Sequence, residues 1–308
     1  ASDVTREEQR PKVMAVIGMC IGMSFAAALV LGPMIAKSYG LQGVFFITAI
    51  MAVVGIVIVL TLVPVSYTRA QSGEVTATSS KLFSMLMHPQ LLRLDYGVLV
   101  LHMMMTSLFI ALPIQLAGSG LNVDQHWQVY LPVLLLSFVF MVPMIIIAAK
   151  RGVEKQMFML AIAMLVLASG LMVLTNQLWP MVATVLLFFI GFNFLEASLP
   201  AHVSRLSPAG QKGSAMGVYS SSQFLGAFLG GITGGYLVQQ FGYGYLFGAN
   251  AVLAVSWLAI AAGMKLPASS KRVSIPIEPI YEGDYQGLID DISCCQGVME
   301  ATLVEDEN

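Results

Sequence analysis

The chain has 308 residues, of which 57% are hydrophobic and 10% charged, and its formal net charge is −2. Soluble domains carry about 25% charged residues, so this composition excludes a water-soluble globular protein. The net charge gives no sign of a nucleic-acid partner. The three cysteines, Cys20, Cys294 and Cys295, form no disulfide framework and no CxxC metal-binding pattern.

Eight apolar runs follow one another along the chain, and each is long enough to cross a bilayer. At 1.5 Å rise per residue, about 20 helical residues span a hydrocarbon core of about 30 Å. Backbone groups in lipid must bond within their own segment, so we predict that these runs are helices. The predicted spans are 13–36, 43–63, 92–117, 127–149, 156–175, 178–203, 214–238 and 244–264.

The positive charges predict how these spans are oriented. Fourteen of the fifteen lysines and arginines lie in alternate loops, and only Lys37 lies in a loop of the other set. Cytoplasmic loops carry the excess of lysine and arginine in membrane proteins. We therefore expect both ends of the chain and the segment 64–90 to be cytoplasmic. The short outer turns would be at 37–42, 118–126, 175–179 and 239–243.

The first two spans are repeated, 202 positions later, by the last two. The aligned pairs include Gln9 and Gln211, Met14 and Met216, Gly40 and Gly242, and Phe45 and Phe247. An ungapped alignment over two spans and their turn is hard to obtain by chance, so we predict a duplicated helical pair. Four spans precede the second copy and none precedes the first. The expectation is therefore a fragment of a twelve-helix protein built from two six-helix repeats.

Two six-helix halves joined by a cytoplasmic loop resemble the major facilitator superfamily, whose halves are parallel repeats. The likeness is carried by residues 191–200 (GFNFLEASLP), 207–213 (SPAGQKG) and 217–219 (GVY). These segments resemble the tenth and eleventh helices of the multidrug-efflux-like branch of that superfamily. Over essentially its whole length, the chain resembles bacterial inner-membrane carriers of the YajR type.

This resemblance implies an all-α membrane protein, namely a major facilitator fold fragment with eight transmembrane helices, 5 to 12 of twelve. Residues 1–63 would hold the last two helices of the N-terminal half, 64–90 the cytoplasmic linker and 91–266 the C-terminal half. Val273, Ile275 and Ile277 alternate as in a strand, and a helical stripe and a second strand near 298–304 follow. The resembled carriers bear a ferredoxin-like cytoplasmic domain at this end, so the resemblance implies that the tail, 267–308, is a partial α+β domain of that kind.

Glycines mark two of the predicted spans. In the first span, Gly32-Pro33 resembles the end of the superfamily's antiporter motif, although Gly22 is out of step with it. In the seventh span, glycines four residues apart would let another helix backbone come close. These are Gly213, Gly217, Gly226, Gly230 and Gly234. The resemblance favours a sliding interface with the opposite half, and static packing within one half is the alternative.

Glu196 is the most informative ionisable residue, because it lies about a third of the way up the sixth span from the predicted cytoplasmic side. A charged side chain at the bilayer centre costs about 2.5–3.5 kcal/mol, so it must face water, find a partner or bind a proton. We interpret Glu196 as a proton carrier. Asn193, one turn earlier, could bond its carboxyl group or a substrate. The alternative is a structural clamp, in which Arg205 or backbone N–H groups near the cytoplasmic end satisfy Glu196.

The third span adds His102 and Asp95, which are seven residues apart and therefore share a helix face. Histidine titrates near neutral pH and suits a proton relay. The alternatives are an ordinary hydrogen bond for His102 and a place at the membrane edge for Asp95. Gln115 and Gln223 are further polar residues at membrane depth. Nearby methionines and phenylalanines would line a pocket for lipophilic guests, or simply pack.

The sequence thus predicts a secondary active transporter of the bacterial inner membrane. It would act as a monomer and export small lipophilic or amphipathic compounds in exchange for protons, by alternating access. The alternatives are a carrier of a polar metabolite and a membrane sensor with a soluble output domain. No HExxH, phosphate-binding loop or nucleophile elbow is present, so no enzyme, metal or cofactor is expected. The expected partners are a small-molecule substrate, protons and lipid.

Overall fold

The computed structural model describes residues 10–63, 87–175, 177–207, 212–264, 287, 291–292 and 294–295. The chain divides into two compact units, Ala1–Pro267 and Ala268–Asn308. In the second unit, Gly287, Asp291 and Ile292 are helical, and Cys294 and Cys295 are exposed free thiols. The two strands predicted in the tail, and most of the predicted linker 64–90, lie outside the described residues.

The described part of the first unit contains seven helices. They are α1 (Arg10–Leu62), α2 (Pro89–Gly118), α3 (Trp127–Arg151), α4 (Glu154–Leu174), α5 (Leu178–Leu206), α6 (Lys212–Phe241) and α7 (Tyr243–Ala262). A 3-10 turn, Val123–Gln125, precedes α3. Seven helices stand where eight spans were predicted, because the first two predicted spans are continuous in α1.

Gly40 interrupts α1 at the point where a turn was predicted. Its φ of 67° and ψ of −176° are not helical, whereas the flanking residues of the predicted turn 37–42 remain helical. Gly242, between α6 and α7, has the same kind of conformation, with φ 87° and ψ 171°. Only glycine adopts this combination readily. The two glycines that align at a spacing of 202 residues thus make the same backbone break.

Six segments of the described helices are long and apolar enough to cross a membrane. They are Leu31–Leu62, Pro89–Gly118, Val123–Arg151, Glu154–Leu174, Leu178–Leu206 and Tyr243–Ala262. Helix α6 is not among them, and its glycines, serines and glutamines make it less apolar than its neighbours. The protein is thus a multi-pass membrane protein.

Helix α2 is the central element of this bundle. It packs against α5, α6 and α7, while α4 packs against α5 and α7, and α3 packs against α5. Helix α1 contacts α3 and the 3-10 turn. On α2 the fully buried leucines recur at the spacing of one helix face, at Leu94, Leu101, Leu108 and Leu112. Exposed apolar side chains, such as Phe224 and Phe228 of α6, cover the outside of the bundle, as expected for surfaces that face lipid.

Glycines bring α6 into backbone contact with α2. A Cβ atom at Gly226, Gly230 or Gly234 would overlap the α2 chain at Leu99, Met103 and Ser107 respectively. The numbering difference is 127 in each pair (226 − 99, 230 − 103, 234 − 107), so the two helices run parallel in a fixed register. Small residues allow this close approach.

This contact bears on the two interpretations of the glycines. Both α2 and α6 lie within the predicted C-terminal half, so Gly226, Gly230 and Gly234 favour the alternative of packing within one half. A Cβ atom at Gly32, Gly213 or Gly217 would have no neighbour within 4 Å. Pro33 lies inside α1, which continues as a helix through it.

Basic side chains gather at one end of the bundle, which we call the basic end. Arg93 of α2 donates to the carbonyl of Gly263, and Lys155 of α4 donates to that of Ala262 at 2.8 Å. Cations at this position satisfy the last carbonyl groups of a helix and its negative dipole end. At the opposite end, Lys37 of α1 pairs with the exposed Asp124 at 3.1 Å. The two ends of the bundle thus differ in their polar contacts.

Candidate functional site

Three polar side chains from three helices meet inside the bundle. The Nε2 atom of Gln223 on α6 lies 2.8 Å from Nε2 of His102 on α2. The same amide nitrogen lies 3.4 Å from Oε1 of Glu196 on α5. The other carboxylate oxygen of Glu196, Oε2, is 3.6 Å from His102 Nε2. We call His102, Glu196 and Gln223 the polar triad.

Helix packing places the polar triad. Gly226, one turn after Gln223 on α6, brings that helix against the backbone of α2 at Leu99. On α5, Phe192 lies one turn before Glu196, and its ring meets the His102 imidazole edge-on with centroids 5.9 Å apart. The triad is therefore held between a backbone contact and an aromatic contact.

The hydrogen bonds define the protonation of the imidazole. His102 Nδ1 lies 3.2 Å from the carbonyl oxygen of Val98, so Nδ1 carries a hydrogen. Because Gln223 Nε2 can only donate, His102 Nε2 accepts, and the ring is neutral. The second N–H of Gln223 donates to the Glu196 carboxylate. Glu196 Oε2 is buried and has no hydrogen-bond partner.

The triad can therefore accept one proton, at either of two atoms. A proton can bind to Glu196 Oε2, or to His102 Nε2 if Gln223 withdraws its donated hydrogen bond. In either case the single negative charge of the triad is cancelled. A charge in this position is costly in a membrane, by about 2.5–3.5 kcal/mol at the helix centre. The charge of the triad is thus coupled to its protonation.

Two partners considered for Glu196 bind elsewhere. The Asn193 amide donates to Ser137 Oγ on α3 at 2.7 Å, and it does not reach the Glu196 carboxylate because it points toward α3. Arg205 pairs with Glu154 at 2.9 Å, so the alternative of a clamp between Glu196 and Arg205 does not form. The partners of Glu196 are instead His102 and Gln223.

The other two candidates lie toward opposite ends of the bundle. Asp95, only 6% exposed, lies two turns from His102 toward the basic end. Its neighbour Arg93 is directed to Gly263, and Asp95 has no ion pair with any described basic residue. Gln115, also 6% exposed, lines a cavity of about 130 Å³ at the opposite end. Its amide nitrogen and oxygen are buried without hydrogen bonds.

The predicted pocket walls are mostly packed core. Met104 and Phe188 are almost fully buried, and Phe188, Phe189 and Phe192 contact one another through their rings. The alternative of simple packing is therefore favoured for these side chains. Within the described parts of the chain, no group of three or more histidine, cysteine, aspartate or glutamate side chains could hold a metal ion.

Sequence reasoning missed Tyr219. This residue lies one turn before Gln223 on α6 and is 3% exposed, and its hydroxyl is buried without a hydrogen-bond partner. It lies within electrostatic range of both Glu196 and Asp95. The spacing of four residues from Gln223 could have indicated a shared face, but the intervening run of three serines gave no reason to select it.

Comparison with known proteins identifies the class. Residues 1–201 and 193–280 match the family model of the Major Facilitator Superfamily. The chain belongs to this superfamily, and it is a membrane carrier and not an enzyme. This confirms the family that the segments of the sixth and seventh spans predicted.

Individual relatives are similar over most of the chain. It is 41% identical to "Inner membrane transport protein YajR" of Escherichia coli (strain K12), over 100% of this chain and 68% of the relative. It is 34% identical to "Uncharacterized transporter BU466" of Buchnera aphidicola subsp. Acyrthosiphon pisum (strain APS), over 74% of this chain and 59% of the relative. It is 30% identical to an "Uncharacterized transporter" of Buchnera aphidicola subsp. Schizaphis graminum, over 83% of this chain and 66% of the relative. The chain thus spans less than two thirds of the two Buchnera relatives.

Proposed function

We propose that the protein exports small lipophilic or amphipathic compounds across the bacterial inner membrane in exchange for protons. The observation that carries this proposal is the polar triad, in which Glu196 has a buried, unbonded carboxylate oxygen 3.6 Å from His102. One carboxylate and one imidazole within a largely apolar bundle can hold or release a single proton. Membership of the superfamily and the similarity to an inner membrane transport protein of Escherichia coli support transport at that membrane.

In the proposed cycle, the triad loads a proton when it faces one side of the membrane and releases it on the other side. The protonated triad carries no net charge, so closing the bundle around it costs less than closing it around a bare carboxylate. One charge moved through 100 mV is worth about 2.3 kcal/mol, which is comparable to that cost. Proton binding can therefore drive alternating access. We further propose that the protein acts as a monomer with both ends of this chain in the cytoplasm.

The test is transport by the intact protein in proteoliposomes, with ethidium and rhodamine 6G as amphipathic probes. A pH gradient should drive probe accumulation by the unsubstituted protein. Glu196→Gln should abolish this driven accumulation but retain exchange of probe between the two sides without a gradient. The matched control is Asp124→Asn, which removes an exposed carboxylate at the opposite end and should leave driven accumulation intact. Unchanged driven transport in Glu196→Gln would reject Glu196 as the proton carrier.

A further inference from the structure

Two side-chain oxygen atoms toward the basic end of the bundle, the Tyr219 hydroxyl and Oε2 of Glu196, are buried without a hydrogen bond, and Oε2 of Glu196 faces His102 Nε2 at 3.6 Å. Asp95, which is 6% exposed, has no ion pair with any described basic residue. Buried polar groups are nearly always hydrogen-bonded in native proteins, so the unbonded oxygens of Tyr219 and Glu196 require an explanation. A group that must exchange a proton cannot be permanently engaged elsewhere.

The helix register places Tyr219 level with this cluster. Extending the difference of 127 residues from the glycine contacts, Tyr219 is level with residue 92 of α2, within one turn of Asp95. On its own helix, Tyr219 is one turn from Gln223, which bonds both His102 and Glu196. Tyr219 is also within electrostatic range of both carboxyl groups. The hydroxyl therefore belongs to the same polar region as the triad.

We propose that Tyr219 passes protons between Glu196 and Asp95, so that the route from the polar triad toward the basic end runs through its hydroxyl. This inference rests on the proposed role of Glu196 as the proton carrier. In the transfer, the O–H bond of protonated Glu196 breaks as its proton moves to the Tyr219 oxygen. Tyr219 gives its own hydrogen to the Asp95 carboxylate, which forms the new O–H bond. The tyrosine is unchanged and one proton has moved two turns along α2.

The geometry distinguishes this role from structural support. Tyr219 makes no hydrogen bond in the structure, so Tyr219→Phe removes an oxygen atom without removing a fold contact. Tyr130 on α3 offers a matched control, because its hydroxyl is also buried and unbonded. Its ring packs on Phe109 and His126, and not beside a carboxylate. Tyr130→Phe therefore makes the same chemical change outside the proposed route.

The experiment follows protonation of Glu196 in the intact protein by time-resolved infrared spectroscopy after a pH jump, with no substrate present. The carboxylic-acid band that disappears in Glu196→Gln identifies the group. Tyr219→Phe should slow its protonation from the basic-end side about a hundredfold, within the range for a positioned proton-transfer group. The midpoint of its equilibrium titration should not change. In Tyr130→Phe, Glu196 should be protonated at the same rate as in the unsubstituted protein.

Asp95→Asn provides a second, independent variant. It should slow the protonation of Glu196 to a similar extent. Protonation in the double variant, Tyr219→Phe with Asp95→Asn, should be no slower than in either single variant, because each of the three proteins has the same route interrupted. A Tyr219→Phe response at the unsubstituted rate would overturn the inference, as would equal slowing by Tyr130→Phe. The proposed function fails separately, if Glu196→Gln leaves proton-driven probe accumulation unchanged.

Discussion

The contact between α2 and α6 has two stretches with opposite properties. Away from the basic end, Gly226, Gly230 and Gly234 press against the backbone of α2, and no room remains for a side chain. Toward the basic end, the same two helices carry polar side chains, with Gln223 bonded to His102 and Tyr219 unbonded. The α2–α6 pair thus combines a closely packed glycine stretch with a polar stretch in which the Tyr219 hydroxyl has no hydrogen-bond partner.

The difference indicates how a carrier can hold a titrating group in an apolar bundle. The glycine stretch fixes the register of α2 and α6, and this register brings Gln223 to His102 on the polar stretch. A second polar contact on α2 makes the contrast clear. Asn250 Nδ2 donates to Ser107 Oγ at 2.9 Å. The single hydrogen of the Ser107 hydroxyl has two alternative acceptors, the Met104 carbonyl at 2.9 Å and Asn250 Oδ1 at 3.2 Å. That pair is satisfied, whereas the polar triad leaves one carboxylate oxygen unbonded.

The largest expected effect comes from breaking the glycine stretch. In Gly230→Ala the new Cβ atom would overlap the Met103 backbone, which cannot move aside as a flexible side chain could. We expect a loss of about 3 kcal/mol in the free energy of unfolding, at the upper end of the range for overpacking. The measurement is denaturant-induced unfolding of the protein in detergent.

Gly235→Ala, five residues further along α6, is the matched control because a Cβ atom there meets nothing within 4 Å. Its stability should be unchanged or slightly raised, since alanine is favoured over glycine in helices by about 0.5–1 kcal/mol. Equal destabilisation by the two substitutions would mean that the close approach of α6 to α2 does not set the register.

The sequence was sufficient for features that depend on one helix at a time. Apolar runs located the helices, the glycine spacing on α6 indicated a close contact, and residues 191–219 carried the family resemblance. The break between the first two spans, at Gly40, lies within the turn predicted at 37–42. Its form was not predicted, because only one residue leaves the helical conformation.

Features that depend on which helices meet could not be predicted. The partner of the glycine stretch is α2 of the same half, and the resemblance had favoured the opposite half. Asn193 and Glu196 are one turn apart, yet the Asn193 amide reaches Ser137 on α3, while Glu196 meets His102 and Gln223. Helical spacing predicts a shared face but not the neighbour across it. Tyr219 became a candidate only when the register of α2 and α6 was known.

An intermediate effect is expected from the polar stretch. Gln223→Met keeps a side chain of similar size but removes both donated hydrogen bonds, so His102 and Glu196 must pair directly or separate. We expect proton-driven accumulation of ethidium to slow about tenfold, which corresponds to about 1.4 kcal/mol in the barrier. Gln239→Met, at an exposed position on the same helix, should leave the rate unchanged. An unaltered rate in Gln223→Met would show that the bridging amide has no part in coupling.

The smallest effect should come from the satisfied pair. Asn250→Ala removes its exchange with Ser107, but the serine hydroxyl keeps its bond to the Met104 carbonyl at 2.9 Å. The Ser107 hydroxyl is therefore not left without a hydrogen bond. We expect a loss of about 0.6 kcal/mol in the free energy of unfolding, the average for hydrogen bonds between membrane helices. Because Asn250 bonds only within this pair, the pH dependence of probe accumulation should match that of the unsubstituted protein. A change in that pH dependence without loss of stability would mean that Asn250 takes part in proton coupling. The contrast between the satisfied pair and the unbonded oxygens of Glu196 and Tyr219 would then no longer separate structural from transport residues.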